Sequence, residues 1–172
     1  MGETVWYRIV GRKRTRPEEA LPARSGRFHE DPHVEPTTYL GDSLMTVWWE
    51  SQSARAGAAR LDPSAFIGWR ITLHDARLVD LREDKERKRW NVSEGELLGD
   101  PSPVKCKEVA RTLRRSGEGI HGILYRSLRH PPKGLCLALF LERKEVIATF
   151  NPVPTEERDE FVRSLEIGRA HV

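Results

Sequence analysis

The 172-residue chain has little cysteine and no long apolar run. Its two cysteines, Cys106 and Cys136, stand far apart with no CxxC and no His–Cys cluster beside them. That pattern rules against a disulfide framework and a zinc site. No stretch approaches the roughly 20 apolar residues that a membrane-crossing helix needs. Residues 1–10 hold charge and aromatics where a secretory leader would hold an apolar core, so no leader is read there. Glycine-rich phosphate loops of the P-loop or dinucleotide type are missing, as is a Gly-x-Ser-x-Gly elbow. The histidines His29, His33, His74, His121 and His130 are scattered. Pro32 between the two closest argues against a helical metal pair, so no metal is expected. Charge of one sign is not in large excess either: 29 basic and 26 acidic residues leave a net +3. The basic runs sit at Arg12–Arg16 and Arg82–Arg89, and the acidic residues inside the second mark it as a solvated helix face. With no aromatic–basic repeat or nucleic-acid motif, direct nucleic-acid binding is not expected.

The composition, 38% hydrophobic and 32% charged, fits a cytoplasmic globular protein, with one core and one domain over residues 1–165. Residues 166–172, Glu-Ile-Gly-Arg-Ala-His-Val, match what a sequencing-library adapter would encode. They are set apart as a read-through tail.

Local patterns predict strands at Trp6–Val10, Thr37–Leu40, Gly68–His74, Arg77–Leu81, Ile120–Tyr125, Leu135–Leu141 and Val146–Phe150. Helices are predicted from an Asp42 or Ser43 cap through Leu44, Val47 and Trp48, over Arg82–Trp90, from Pro103 to Ser116, and over Thr155–Leu165. Glu18–Leu21 reads as a single turn, and 94–103, rich in Gly and Pro, reads as a loop. Strands and helices mix without strict βαβ alternation, which favours an α+β fold.

Four short blocks carry candidate chemistry. In Ser25-Gly26-Arg27-Phe28, glycine lets the backbone pass close to a ligand, and a guanidinium forks onto phosphate oxygens. In Thr37-Thr38-Tyr39-Leu40, the Tyr39 ring offers a stacking face and a hydroxyl. In Trp48-Trp49-Glu50, the Glu50 carboxylate beside apolar surface suits stabilisation of an oxocarbenium-like centre. In the block from Gly122 to Arg129, Ser127 places a hydroxyl at a strand end, able to orient an amide or ribose.

In this order the blocks resemble the RES domain family, named for its Arg, Glu and Ser. The resemblance begins with Tyr7-Arg8 on the opening strand and takes in Val79-Asp80-Leu81 and Leu137-Ala138-Leu139-Phe140, spanning residues 6–142. It departs at Phe28-His29, where members often carry Trp-Asn. It implies an ADP-ribosyltransferase-like fold, two packed small β-sheets with flanking helices around an NAD cleft. It also implies a bacterial NAD-consuming toxin that breaks the nicotinamide–ribose bond with phosphate or water as acceptor, neutralised by an Xre-type helix-turn-helix antitoxin. By that resemblance Arg27 binds the diphosphate, Tyr39 meets the nicotinamide ribose, Glu50 stabilises the anomeric cation and Ser127 holds the nicotinamide end. NAD is then a substrate, with inorganic phosphate as a co-substrate and no further cofactor. A homo-oligomer within the antitoxin complex is left open. Two other readings stand beside this one. One is an ADP-ribosyltransferase modifying a macromolecule; the other is a non-catalytic basic nucleic-acid-binding domain.

Overall fold

The computed structural model describes residues 2–11, 26–53, 66–98, 103–130, 134–142 and 147–170. The Arg12–Arg16 run, the turn at Glu18–Leu21, Ser25 and the Pro131-Pro132 pair lie outside the described residues. Strand β1 (Thr4–Gly11) is followed by β2 (Thr37–Gly41) and helix α1 (Leu44–Ser53). Then come β3 (Phe66–His74), β4 (Leu78–Asp80), α2 (Asp84–Arg89), α3 (Glu94–Leu98) and α4 (Val104–Arg115). The chain continues with β5 (Gly122–Arg126), β6 (Leu135–Phe140), β7 (Ile147–Pro152) and α5 (Thr155–Ala170).

The strands form one seven-stranded sheet in the order β4-β5-β6-β2-β1-β3-β7. All pairings are antiparallel except β4 with β5. The mixed, mostly antiparallel sheet matches the expected α+β class. Within it the pairing is uneven. β1 and β3 run in register from Thr4↔Leu73 to Gly11↔Phe66, and β2 and β6 from Thr37↔Phe140 to Gly41↔Cys136. β1 and β2 share the single pair Tyr7↔Gly41. Instead of two separate small sheets there are two halves of one sheet, kept continuous by that pair.

Strand alternation sorts the apolar residues into distinct clusters. Cys136, Ala138 and Phe140 of β6 join Ile123 and Tyr125 of β5, with Cys106, Val109, Ala110 and Leu113 of α4 over them. On the opposite face, Leu137 and Leu139 belong to a cluster that runs through Leu40 and Trp6 to Ile71 and Leu73. A third cluster packs Leu44 and Trp48 of α1 against Phe66 and against Phe161 of α5.

Two elements differ from the sequence expectation. The loop expected at 94–103 contains α3, because Ser93 and Glu96 close a capping box. Ser93 Oγ accepts the Glu96 amide at 3.1 Å, and Glu96 Oε2 accepts the Ser93 amide at 2.8 Å. Orphan amides satisfied in this way allow one helical turn despite Gly95. Helix α5 continues beyond Leu165 into the segment set apart as a tail, since a single Gly168 near a helix end does not stop it. Among the described residues no helix is long and apolar enough to cross a membrane.

Candidate active site

Gly26 and His29 face each other across a two-residue turn, with the Gly26 amide donating to the His29 carbonyl at 3.0 Å. Arg27 and Phe28 are its central residues. The phenol of Tyr39 fills the turn from below: its oxygen accepts the Phe28 amide at 3.0 Å and lies 2.9 Å from His29 Nδ1. There is no room for a larger residue at position 26, where a Cβ would stand 2.5 Å from that same oxygen. Tyr39 thus fixes the turn that presents Arg27, although the two are far apart in sequence. The Arg27 guanidinium donates to the Leu97 carbonyl at the end of α3.

Glu50 is placed by α1. Ser43 caps this helix, its hydroxyl accepting the Thr46 amide at 3.1 Å, which meets one of the unsatisfied first-turn donors. Val47 and Trp48 bury one side of the helix, and Glu50 faces the end of β5. There the Ser127 hydroxyl donates to Glu50 Oε1 at 2.5 Å. Ser127 is buried, and its oxygen also accepts the amides of Arg129 at 3.1 Å and His130 at 3.0 Å. A serine that closes its own turn while holding a carboxylate is fixed on both sides.

Between the two pairs lie Tyr125, whose ring tilts against Phe28 at 5.0 Å between centroids, and Cys136, beside Tyr125 and Ser127. Burial raises the Tyr125 phenol well above its ordinary pKa, with Cys136, Tyr39 and Glu50 acting in the same direction and Arg27 opposing. Burial likewise pushes up the Cys136 thiol, and Glu50 adds to it. Tyr39 is raised by burial too, against the Phe28 amide and the charges of Arg114 and Arg27. These phenols and this thiol therefore stay neutral at ordinary pH and form an uncharged floor. The structure brings Glu50 and Ser127 together, sets the Tyr39 hydroxyl inside the turn that carries Arg27, and links the two pairs through the Phe28 and Tyr125 rings. The Tyr39 hydroxyl, however, is engaged inward by Phe28 and His29, so its ring is what it offers a ligand.

Sequence spacing did not point to His29, Tyr125, Cys136 or the Leu97 carbonyl as parts of this cluster. Nor did it single out the brace behind it. Arg114 of α4 donates to the Phe28 carbonyl at 3.2 Å, to Thr37 Oγ1 at 2.6 Å and to Glu142 at 2.5 Å, and lies 3.9 Å over the Phe140 ring. One turn earlier Arg111 meets Glu35 at 2.7 Å, and a further turn back Lys107 meets Glu30 at 2.6 Å. Burial works to raise the Glu35 carboxyl, but the Glu30 amide and the guanidinium groups of Arg111 and Arg114 outweigh it and hold its pKa below the ordinary value. A cavity of about 650 Å³ lies elsewhere, between α2, α3 and the start of α4, and is lined by none of the four candidate residues. No group of three or more His, Cys, Asp or Glu able to hold a metal occurs among the described residues.

Comparison with known proteins adds to this geometry. A family model described as the RES domain matches residues 5–159. A chain of the crystal structure of the M. tuberculosis MbcT–MbcA toxin–antitoxin complex is similar in fold, with a TM-score of 0.64 and 19% identity. The likeness covers 92% of this chain and 88% of that one. No curated protein matches in sequence.

Proposed function

The chain belongs to the RES domain family, and from that premise we propose that it is an enzyme that cleaves NAD between nicotinamide and ribose. The observation that carries the reading is the bond from Ser127 Oγ to Glu50 Oε1 at 2.5 Å, linked through Tyr125 and Phe28 to the turn that holds Arg27 and Tyr39. It supplies a positioned carboxylate close to the neutral groups Tyr125 and Cys136.

The nicotinamide of NAD carries a positive charge before the reaction. When the bond to C1′ breaks, its electron pair leaves with nicotinamide, which becomes neutral, and positive charge develops on the ribose. No general acid is needed. The stabilisation required is that of a cation, which a nearby fixed carboxylate supplies best where water is scarce. Glu50 has that role. Ser127 holds the carboxylate in one orientation and flanks the nicotinamide end. Arg27 takes the diphosphate, for which a guanidinium fork is suited. The Tyr39 ring packs against the adjacent ribose. Water or inorganic phosphate then adds at C1′, forming a new C–O bond and giving its proton to solvent.

Growth arrest through NAD loss, and restraint by an Xre-type antitoxin in the cytoplasm, follow from the same reading. Likeness in fold to a chain from a toxin–antitoxin complex supports it. The test is purified protein mixed with NAD, with and without phosphate, and nicotinamide release followed over time. Turnover is expected, and Glu50→Gln is expected to lower it by about 100-fold or more. Intact NAD after long incubation with folded wild-type protein overturns the reading. Release of nicotinamide coupled to labelling of a macromolecule replaces the small acceptor with a large one.

A further inference from the structure

Beyond the four family positions, the loop after β5 is tied to α1 by a second polar contact. Thr46, fully buried, sits on α1 one turn before Glu50. Its hydroxyl donates to Asp42 Oδ1 at 2.7 Å and lies 3.0 Å from both Ser43 Oγ and His130 Nδ1. The proton count fixes the roles. A carboxylate only accepts, so the one hydroxyl proton of Thr46 goes to Asp42. Ser43 already accepts the Thr46 amide and gives its own proton to Thr46. His130 Nδ1 must therefore carry a proton and donate to Thr46. That holds for the neutral Nδ1–H tautomer and for the imidazolium alike.

We infer that His130 is a positioning residue of the proposed site, clasping the Ser127 loop to α1 so that the Ser127 hydroxyl stays on Glu50. Its backbone contributes from the same place: the His130 amide donates to Ser127 Oγ, and its carbonyl accepts the Gly134 amide at 2.9 Å. The ring bond to Thr46 and the Ser127 bond to Glu50 are one helical turn apart on the same side of α1. Together they make a two-point attachment that neither gives alone. Because Nδ1 donates in both protonation states, the clasp does not depend on the charge of the imidazole.

The inference rests on the proposed NAD cleavage only for its kinetic arm. In that arm, H130A is expected to lower kcat for NAD by about 10–100-fold. KM should change less than kcat, since Arg27, the diphosphate contact, lies outside the clasp. H130N places an amide N–H where Nδ1–H stood and is expected to recover most of that loss. In the second arm, urea unfolding midpoints are compared for wild type, T46V, H130A and the double variant. The double variant should lose less than the two singles added together, because each deletes the same bond. Strict additivity overturns the clasp, as does H130A with wild-type kcat. H130N as inactive as H130A also overturns it, and makes the imidazole itself the required group. A wild-type protein that leaves NAD intact yet shows the Thr46–His130 coupling sinks the proposed function and leaves the clasp standing.

Discussion

Tyr39 shows how far one atom reaches in this protein. Its phenol oxygen is the shared partner of the Phe28 amide and His29 Nδ1, inside the turn that presents Arg27. Burial keeps it neutral, so it acts as a hydrogen-bonding post and not as a base. Tyr39→Phe keeps the ring and deletes the post, leaving an amide and a ring nitrogen without that partner in a buried place. The expected loss is about 1–3 kcal/mol of unfolding free energy. KM for NAD should rise as Arg27 loosens, with a smaller change in kcat. Urea unfolding together with steady-state kinetics measures both, and an unchanged unfolding midpoint would remove the post from the argument. The sequence made Tyr39 and Arg27 visible separately, through residue type and order. It did not reveal that the two depend on each other, nor that His29, one of several scattered histidines, is fully buried beside them. That dependence is a tertiary contact with no local period to betray it.

At the scale of the element, α4 does two jobs on two faces. Its apolar stripe of Cys106, Val109 and Leu113 covers the sheet, and that stripe was legible from helical spacing. Lys107, Arg111 and Arg114 follow each other along another side and hold Glu30, Glu35, Phe28 and Thr37, which lie within the segment between Arg27 and Tyr39. Basic residues on a helix ordinarily face solvent, and only the folded arrangement reveals acidic and carbonyl partners from a distant part of the chain. Helix α3 was missed for a different reason. Its capping signal, Ser93 with Glu96, was present but lay within a Gly- and Pro-rich stretch. The α4 brace makes a pH-dependent prediction. Because the Glu35 pKa is lowered in the folded state, its contribution is full above the ordinary carboxylate value of 4.5. It is lost as pH falls through the lower folded value. Glu35→Gln should reduce stability at pH 7 by about 1 kcal/mol, the partly exposed Arg111 side of the pair being screened by solvent. The gap between variant and wild type should close on acidification below the ordinary value of 4.5. Unfolding midpoints across the acid range check this, and a gap that stays constant at every pH would assign the loss to packing instead.

At the scale of the molecule, the candidate site lies where the two halves of the sheet part. β2 and β6 carry Tyr39 and Cys136, and β5 leads into Ser127. β1, β3 and β7 form the other half, and among the described residues the strand pairing between the halves is Tyr7↔Gly41. Helix α1 packs on both β1 and β2, so it crosses that seam and brings Glu50 to Ser127. The sequence singled out Glu50 and Ser127, which are in contact, and Tyr39 and Arg27, which share one turn. The seam, which makes them meet, is a matter of pairing register and had no sequence marker except a glycine after Leu40. Gly41 has a physical reason to be glycine: a Cβ there would stand 2.7 Å from Val47 Cγ1 and 3.1 Å from Thr46 Cγ2, both on α1. Neither atom can swing away: Val47 has little χ1 freedom in a helix, and the Thr46 hydroxyl is held by Asp42 and His130. Gly41→Ala must therefore lift α1 off the seam by some tenths of an ångström. The expected stability loss is modest, about 1–3 kcal/mol, whereas NAD turnover should fall by about 10–100-fold as Glu50 moves away from its place on Ser127. Gly11→Ala, at a position where a Cβ meets nothing within 4 Å, serves as the control and should leave turnover near the wild-type rate. If Gly41→Ala folds and turns over NAD as fast as that control, the seat of α1 on Gly41 is not what holds the carboxylate in position.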